Sequence, residues 1–84
     1  MREKVFVELI VPEIGESFSV FLPINKKIGN IIELLNKALI DITNQEYSIS
    51  NFKSLYNRYN GIRYSVDTAI KNTDIRDGSV LVLL

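Results

Sequence analysis

Apolar and polar side chains alternate near the start of this chain, and the alternation resumes after one short interruption. From Lys4 to Val11, Val5, Val7 and Leu9 share one parity while Phe6, Glu8 and Ile10 share the other. That period of two predicts a β-strand. Pro12-Glu13-Ile14-Gly15-Glu16 breaks it with a proline, a glycine and two carboxylates, which predicts a turn with Gly15 at positive φ. Ser17 to Leu22 alternates again, with Phe18, Val20 and Leu22 set against Ser17, Ser19 and Phe21. Two such runs joined by a short Gly-containing loop predict a β-hairpin.

After Pro23 the period lengthens. Ile28, Ile31, Ile32, Leu35, Leu39 and Ile42 follow the i, i+3, i+4, i+7 spacing of an amphipathic helix. Asn25 or Lys27 stands near its start, and Asn36, Lys37 and Asp41 fall on or near its polar side. Gly29 costs the first turn about 1 kcal/mol relative to Ala; it either permits a close approach to the sheet or has no packing role. The polar stretch 43–50 ends the helix.

Phe52 to Tyr59 fits a strand, with Leu55, Asn57 and Tyr59 alternating against Tyr56 and Arg58, and it fits a helical period as well. Asn60-Gly61 is a strong two-residue hairpin turn, needing strands on both sides, so the strand is preferred, with Ile62-Arg63-Tyr64 as its mate. Val66 to Asn72 predicts one or two helical turns capped by Ser65 or Asp67. Ile75-Arg76-Asp77-Gly78 predicts a tight turn. Ser79 to Leu84 is a run of aliphatics, the mark of a strand inside a sheet.

The order is therefore hairpin, long helix, short strand pair, helical turn, final strand. The most apolar strand belongs in mid-sheet beside the first, with the lone helix closing over one face. This is an α+β, β-grasp arrangement: a mixed four- to five-stranded sheet on one long helix, in a single domain spanning residues 1–84. Alternation places Val5, Val7, Leu9, Phe18, Val20, Leu22, Leu55, Tyr59, Val80, Val82 and Leu84 inward from the strands. Ile28, Ile31, Ile32, Leu35 and Leu39 join them from the helix, and Ile70 and Ile75 from the later turns.

Composition narrows the function. The chain has 84 residues, of which 46% are hydrophobic, enough for one core. It contains neither Cys nor His, which excludes disulfides and Cys- or His-based zinc sites. Ten basic residues balance ten acidic ones, so the electrostatic footprint of a nucleic-acid binder is missing and no nucleic acid is expected as a partner. Neither MREKVFVELIV nor the closing VLVLL has the length of a signal-peptide core or a membrane span. The expectation is a cytoplasmic protein without direct membrane insertion.

Candidate chemistry is sparse. Glu13 and Glu16 flank Gly15, and Asp74 and Asp77 flank Ile75-Arg76; such pairs bind hard cations or move protons, but carboxylates also occupy turns for their local backbone bonds. Gly15, Gly29, Gly61 and Gly78 are too scattered for a phosphate loop. Lys26-Lys27, and Arg58 and Arg63 near Tyr56, Tyr59 and Tyr64, suit a protein contact or a solvated surface better than a base-stacking site. No catalytic residue, metal or cofactor is expected, and the chain reads as a non-enzyme.

The face of the sheet turned from the helix is less ordinary. Phe6 and Ile10 face away from Val5, Val7 and Leu9, and the same alternation turns Phe21, Leu81 and Leu83 outward. Tyr56 and Arg58 lie on the adjacent strand. A contiguous apolar patch usually marks an interface, so these seven residues are the candidate site for a protein partner or for a second copy of the chain as a homodimer.

Two segments carry a family resemblance across essentially the whole chain. The first is Leu22-Pro-Ile-Asn-Lys-Lys-Ile28-Gly-Asn-Ile31, leading from strand to helix. The second is Ile70-Lys-Asn-Thr73-Asp-Ile75-Arg-Asp-Gly78-Ser-Val80-Leu-Val-Leu. On these the chain resembles ubiquitin-like proteins. It departs from the conjugating members and sulfur carriers in having no flexible tail and no terminal Gly-Gly, so conjugation is not expected. In length, element order and ending it is similar to the YukD/EsaB family, cytosolic accessory proteins of the type VII (WXG100, Ess/Yuk) secretion system. The resemblance implies a non-enzymatic interaction module whose partners are secretion-machinery components. An adaptor or recruitment domain in another bacterial assembly is the alternative.

Overall fold

A computed structural model describes residues 3–44 and 53–84 of the chain. Strand β1 (Lys4–Val11) and strand β2 (Glu16–Pro23) form the hairpin, followed by helix α1 (Ile28–Ile42), strand β3 (Leu55–Asn57) and strand β4 (Val80–Leu83). One-turn 3₁₀ helices occupy Pro12–Ile14 and Ile70–Asn72. The sheet order is β2-β1-β4-β3, with β1 and β2 antiparallel, β1 and β4 parallel, and β3 and β4 antiparallel. The final strand therefore lies in mid-sheet beside the first.

The hairpin forms as its alternation dictates. Val5, Val7, Leu9 and Val11 are buried, and Gly15 takes φ 65°, where its N–H bonds back to the Pro12 carbonyl. A residue with a Cβ would be strained there. From the helix, Ile28, Ile31, Ile32, Leu35 and Leu39 enter the core, as the 3.6 period requires. Asn36, expected near the polar side, is also buried, whereas Ile42 is 63% exposed because the helix ends there, beyond its last buried position.

No side chain caps the helix N-terminus. The chain at 66–68 serves instead: Ile28 N–H donates to the Thr68 carbonyl and Gly29 N–H to the Val66 carbonyl, both at 2.9 Å. Two of the unpaired donors of the first turn are thus satisfied by backbone. A Cβ on Gly29 would stand 3.2 Å from the Val66 oxygen, so this glycine allows close approach to the 66–68 loop, not to the sheet.

Four sequence expectations need correction. Leu81 and Leu83 are wholly buried while Val80 and Val82 are half-buried and Leu84 is 56% exposed, the reverse of the expected parity. The parallel register decides this: Leu81 aligns with buried Leu9, and Val80 and Val82 align with Glu8 and Ile10. Tyr59 is 81% exposed because β3 stops at Asn57, whose Oδ1 accepts the N–H groups of Tyr59 and Asn60 and turns the chain away. For the same reason the turn around Asn60-Gly61 is longer than two residues. Asn57 N–H reaches the Ile62 carbonyl, Gly61 has φ 71°, and Ile62–Tyr64 contributes a single bridge, Tyr56 to Arg63. The strand expected to start at Phe52 starts at Leu55; Phe52 itself lies outside the described residues.

The turn before the last strand forms one residue later than the expected Ile75-Arg76-Asp77-Gly78, and the strand starts at Val80. Ser79 N–H donates to the Arg76 carbonyl at 2.9 Å with Gly78 at φ 88°, the third-position geometry of a type II turn.

Candidate functional site

The outer face of the sheet is built by the register in rows that cross the strands. One row runs Ser17, Ile10, Val82, Tyr56 from β2 to β3. The next runs Ser19, Glu8, Val80, and Arg58 closes it, donating its backbone N–H to the Val80 carbonyl. The third pairs Phe21 with Phe6, whose rings lie 4.8 Å apart at an angle of 53°. This tilted contact is of the kind aromatic pairs prefer. It remains open to solvent, with Phe6 43% and Phe21 65% exposed.

Five of the seven candidates therefore share the outer side of the sheet: Phe6, Ile10, Phe21, Tyr56 and Arg58. Leu81 and Leu83 do not, since both point into the core. Their places are taken by Val80 and Val82, which sequence reasoning had turned inward. Glu8 stands among them as the carboxylate of the middle row, and it is exposed. Beside Ile10, where β1 meets the hairpin loop, a shallow depression is lined by Glu8, Val11, Pro12, Gly15, Glu16 and Ser17.

Three of the four paired carboxylates are engaged structurally. Glu13 forms an ion pair with Lys53. Asp74 Oδ1 accepts the Tyr64 hydroxyl proton at 2.7 Å, and Asp77 Oδ1 accepts the Phe6 N–H at 2.8 Å. Tyr64 is buried, and its pKa is pushed up to about 12, first by burial and then by the bond to Asp74, which stabilises the neutral phenol. Nothing in the alternation of the 62–64 segment had marked it as a core residue. Among the described residues, no group of three or more His, Cys, Asp or Glu side chains is placed to hold a metal ion. No described helix is long and apolar enough to cross a membrane.

No protein-family model and no curated protein matches the sequence. Solved structures match the fold closely. The chain is similar to a component of the MycP5-free ESX-5 inner membrane complex, with a TM-score of 0.81 and 17% identity over 99% of this chain. It spans only 21% of that component's length. The EccD5 ubiquitin-like domain from Mycobacterium xenopi matches with a TM-score of 0.79 and 15% identity, over 99% of this chain and 94% of that one. A chain of the toluene 4-monooxygenase HD complex matches with a TM-score of 0.78 and 10% identity, over 95% of each chain. The fold is the ubiquitin-like β-grasp, and at these identities the likeness concerns the fold alone.

Proposed function

We propose that this chain is a non-enzymatic docking module that binds a protein partner through the outer face of its sheet. The observation that carries this reading is the Phe6–Phe21 pair, left open to solvent on the same side as Ile10, Val80, Val82 and Tyr56. Aromatic and aliphatic side chains in one patch, with Arg58 at its margin, are the composition of a binding hot spot.

The partner class we favour is the machinery of a bacterial type VII secretion system, with this chain as a cytosolic accessory component similar to the YukD/EsaB family. Support comes from the fold shared with the ESX-5 component and with the EccD5 domain. The second reading, an adaptor in another bacterial assembly, is favoured by the equally close likeness to a chain of an oxygenase complex. Neighbouring genes for WXG100 proteins and an FtsK/SpoIIIE-type ATPase would favour the first.

The test is a titration of the purified chain against the cytosolic regions of the secretion apparatus. Phe6→Ala combined with Tyr56→Ala is expected to weaken binding at least tenfold, while Lys37→Ala on the helix leaves it unchanged. Equal binding by all three proteins would remove the outer face from the site.

A further inference from the structure

The two edges of the sheet are finished differently. Beyond β3 the chain covers its own edge: Asn57 N–H donates to the Ile62 carbonyl and Tyr64 N–H to the Leu55 carbonyl, both at 2.9 Å. Beyond β2, Lys26 N–H reaches the carbonyl of Pro23 at the strand's last position, and among the described residues no backbone group pairs with the outer side of the strand before it.

The phase of the hairpin ladder identifies which groups this leaves open. Ile24 N–H donates to the Glu3 carbonyl at 3.0 Å, one step outside the β1–β2 register. In an antiparallel pair, bonded and non-bonded positions alternate. Val5–Leu22, Val7–Val20, Leu9–Phe18 and Val11–Glu16 are therefore the bonded pairs. The intervening residues of β1 turn their groups to the other side, as Phe6 and Glu8 do when they bond to the segment 77–79. By the same phase Ser17, Ser19 and Phe21 of β2 turn both N–H and C=O away from the sheet. All three are exposed. Pro23 offers no N–H and ends the row.

We propose that this edge pairs with its own copy, β2 against β2, antiparallel about a two-fold axis through Ser19. The open row is symmetric about that residue. In this register Ser17 meets Phe21 of the copy, Ser19 meets Ser19, and Phe21 meets Ser17, giving about six new backbone bonds. A shift by two residues in either direction leaves part of the row without a mate. On the helix side, Phe18 comes opposite Val20 of the copy, and both are half-buried residues at the margin of the core. Glu16, the one ionisable residue of β2, comes opposite Leu22 and meets no like charge. Between Glu16 and Pro23 at its two ends, β2 pairs with β1 without a bulge and contains neither Pro nor a charged residue, so the open row itself carries none of the usual guards of an exposed edge. A two-fold pairing uses up both open edges and closes at the dimer.

The test follows sedimentation of the full chain from micromolar to millimolar concentration. A dimer is expected to accumulate with concentration. Ser19→Pro removes a donor that the hairpin does not use, so it should weaken the dimer at least tenfold with the circular dichroism unchanged. Because the chain has no native Cys, Ser19→Cys serves as a direct probe. Its sulfur faces its own copy across a pair about 5.5 Å apart between Cα atoms, within disulfide reach. Ser17→Cys stands four residues, about 14 Å, from its counterpart. Mild oxidation should therefore cross-link Ser19→Cys and leave Ser17→Cys as monomer, which decides the matter even if the proline variant loses its fold. A wild-type monomer throughout the range, including one that binds extended peptides along β2, would overturn the proposal. So would cross-linking of Ser17→Cys at the same rate as Ser19→Cys.

Discussion

The carboxylate of Asp77 accepts the backbone N–H of Phe6 at 2.8 Å, joining positions 71 residues apart. One residue further on, Gly78 donates its N–H to the Phe6 carbonyl at 2.8 Å. The type II turn before β4 thus grips both backbone groups of the residue that carries the exposed aromatic pair. A turn near the end of the sequence sets the place of a side chain near its start.

Asp77→Ala removes the acceptor and leaves the Phe6 N–H to water. A loss of about 0.5–1.5 kcal/mol is expected, as for an exposed hydrogen bond. Urea denaturation of the two proteins measures it; equal midpoints would show that the contact contributes nothing to folding.

The parity of β4 gives a sharper contrast. Leu81→Ala should cost about 2–5 kcal/mol, because it empties a wholly buried site between β1 and β3. Val80→Thr, on the half-buried outer face, should cost less than about 1.5 kcal/mol. Thermal melts of both variants check the orientation of the strand, and the opposite ranking would restore the parity expected from sequence.

Tyr64 makes stability depend on pH in the alkaline range. Its phenol holds its proton up to about 12 in the fold, against 10.0 for the free side chain. Above pH 10 the unfolded chain releases this proton while the folded chain retains it, so stability falls as pH rises from about 10 to about 12. The contribution, of order 2–3 kcal/mol, is complete below that window. Tyr64→Phe should flatten this part of the stability–pH curve; an unaltered slope would mean that other groups cause it.

At the outer face, Val82→Lys should abolish partner binding with a modest loss of stability, since Val82 stands between Ile10 and Tyr56 and is half-buried. Leu83→Lys should unfold the chain instead. Calorimetric titration of the partner beside a melt of each variant separates the two outcomes.

Much of this was legible in the residues. The alternation from Lys4 to Val11 gave the first strand with its bounds, and the turn residues Gly15 and Gly78 took the positive φ that their positions required. Phe6, Ile10 and Phe21 were placed correctly because polar residues of the same parity, Glu8 on β1 and Ser17 and Ser19 on β2, mark the outer face. The same method failed at Val80–Leu83, where consecutive aliphatics provide no polar residue to fix the phase, and only the pairing with β1 does so. Tyr59 was misplaced for another reason. Asn57 had been counted as one more strand position, but its side chain bonds to backbone two and three residues ahead and ends the strand there. Tyr64 gave no local signal, since its partner Asp74 is ten residues away.

The position of β4 also bears on how the chain acquires its shape during synthesis. The hairpin and β3 share no ladder with each other, and the strand that joins them, β4, is made after both. Until residues 80–83 have left the ribosome, the earlier segments lack their common neighbour, and the helix has only half a sheet on which to rest. Local pieces can form early, but the cooperative step waits for this segment.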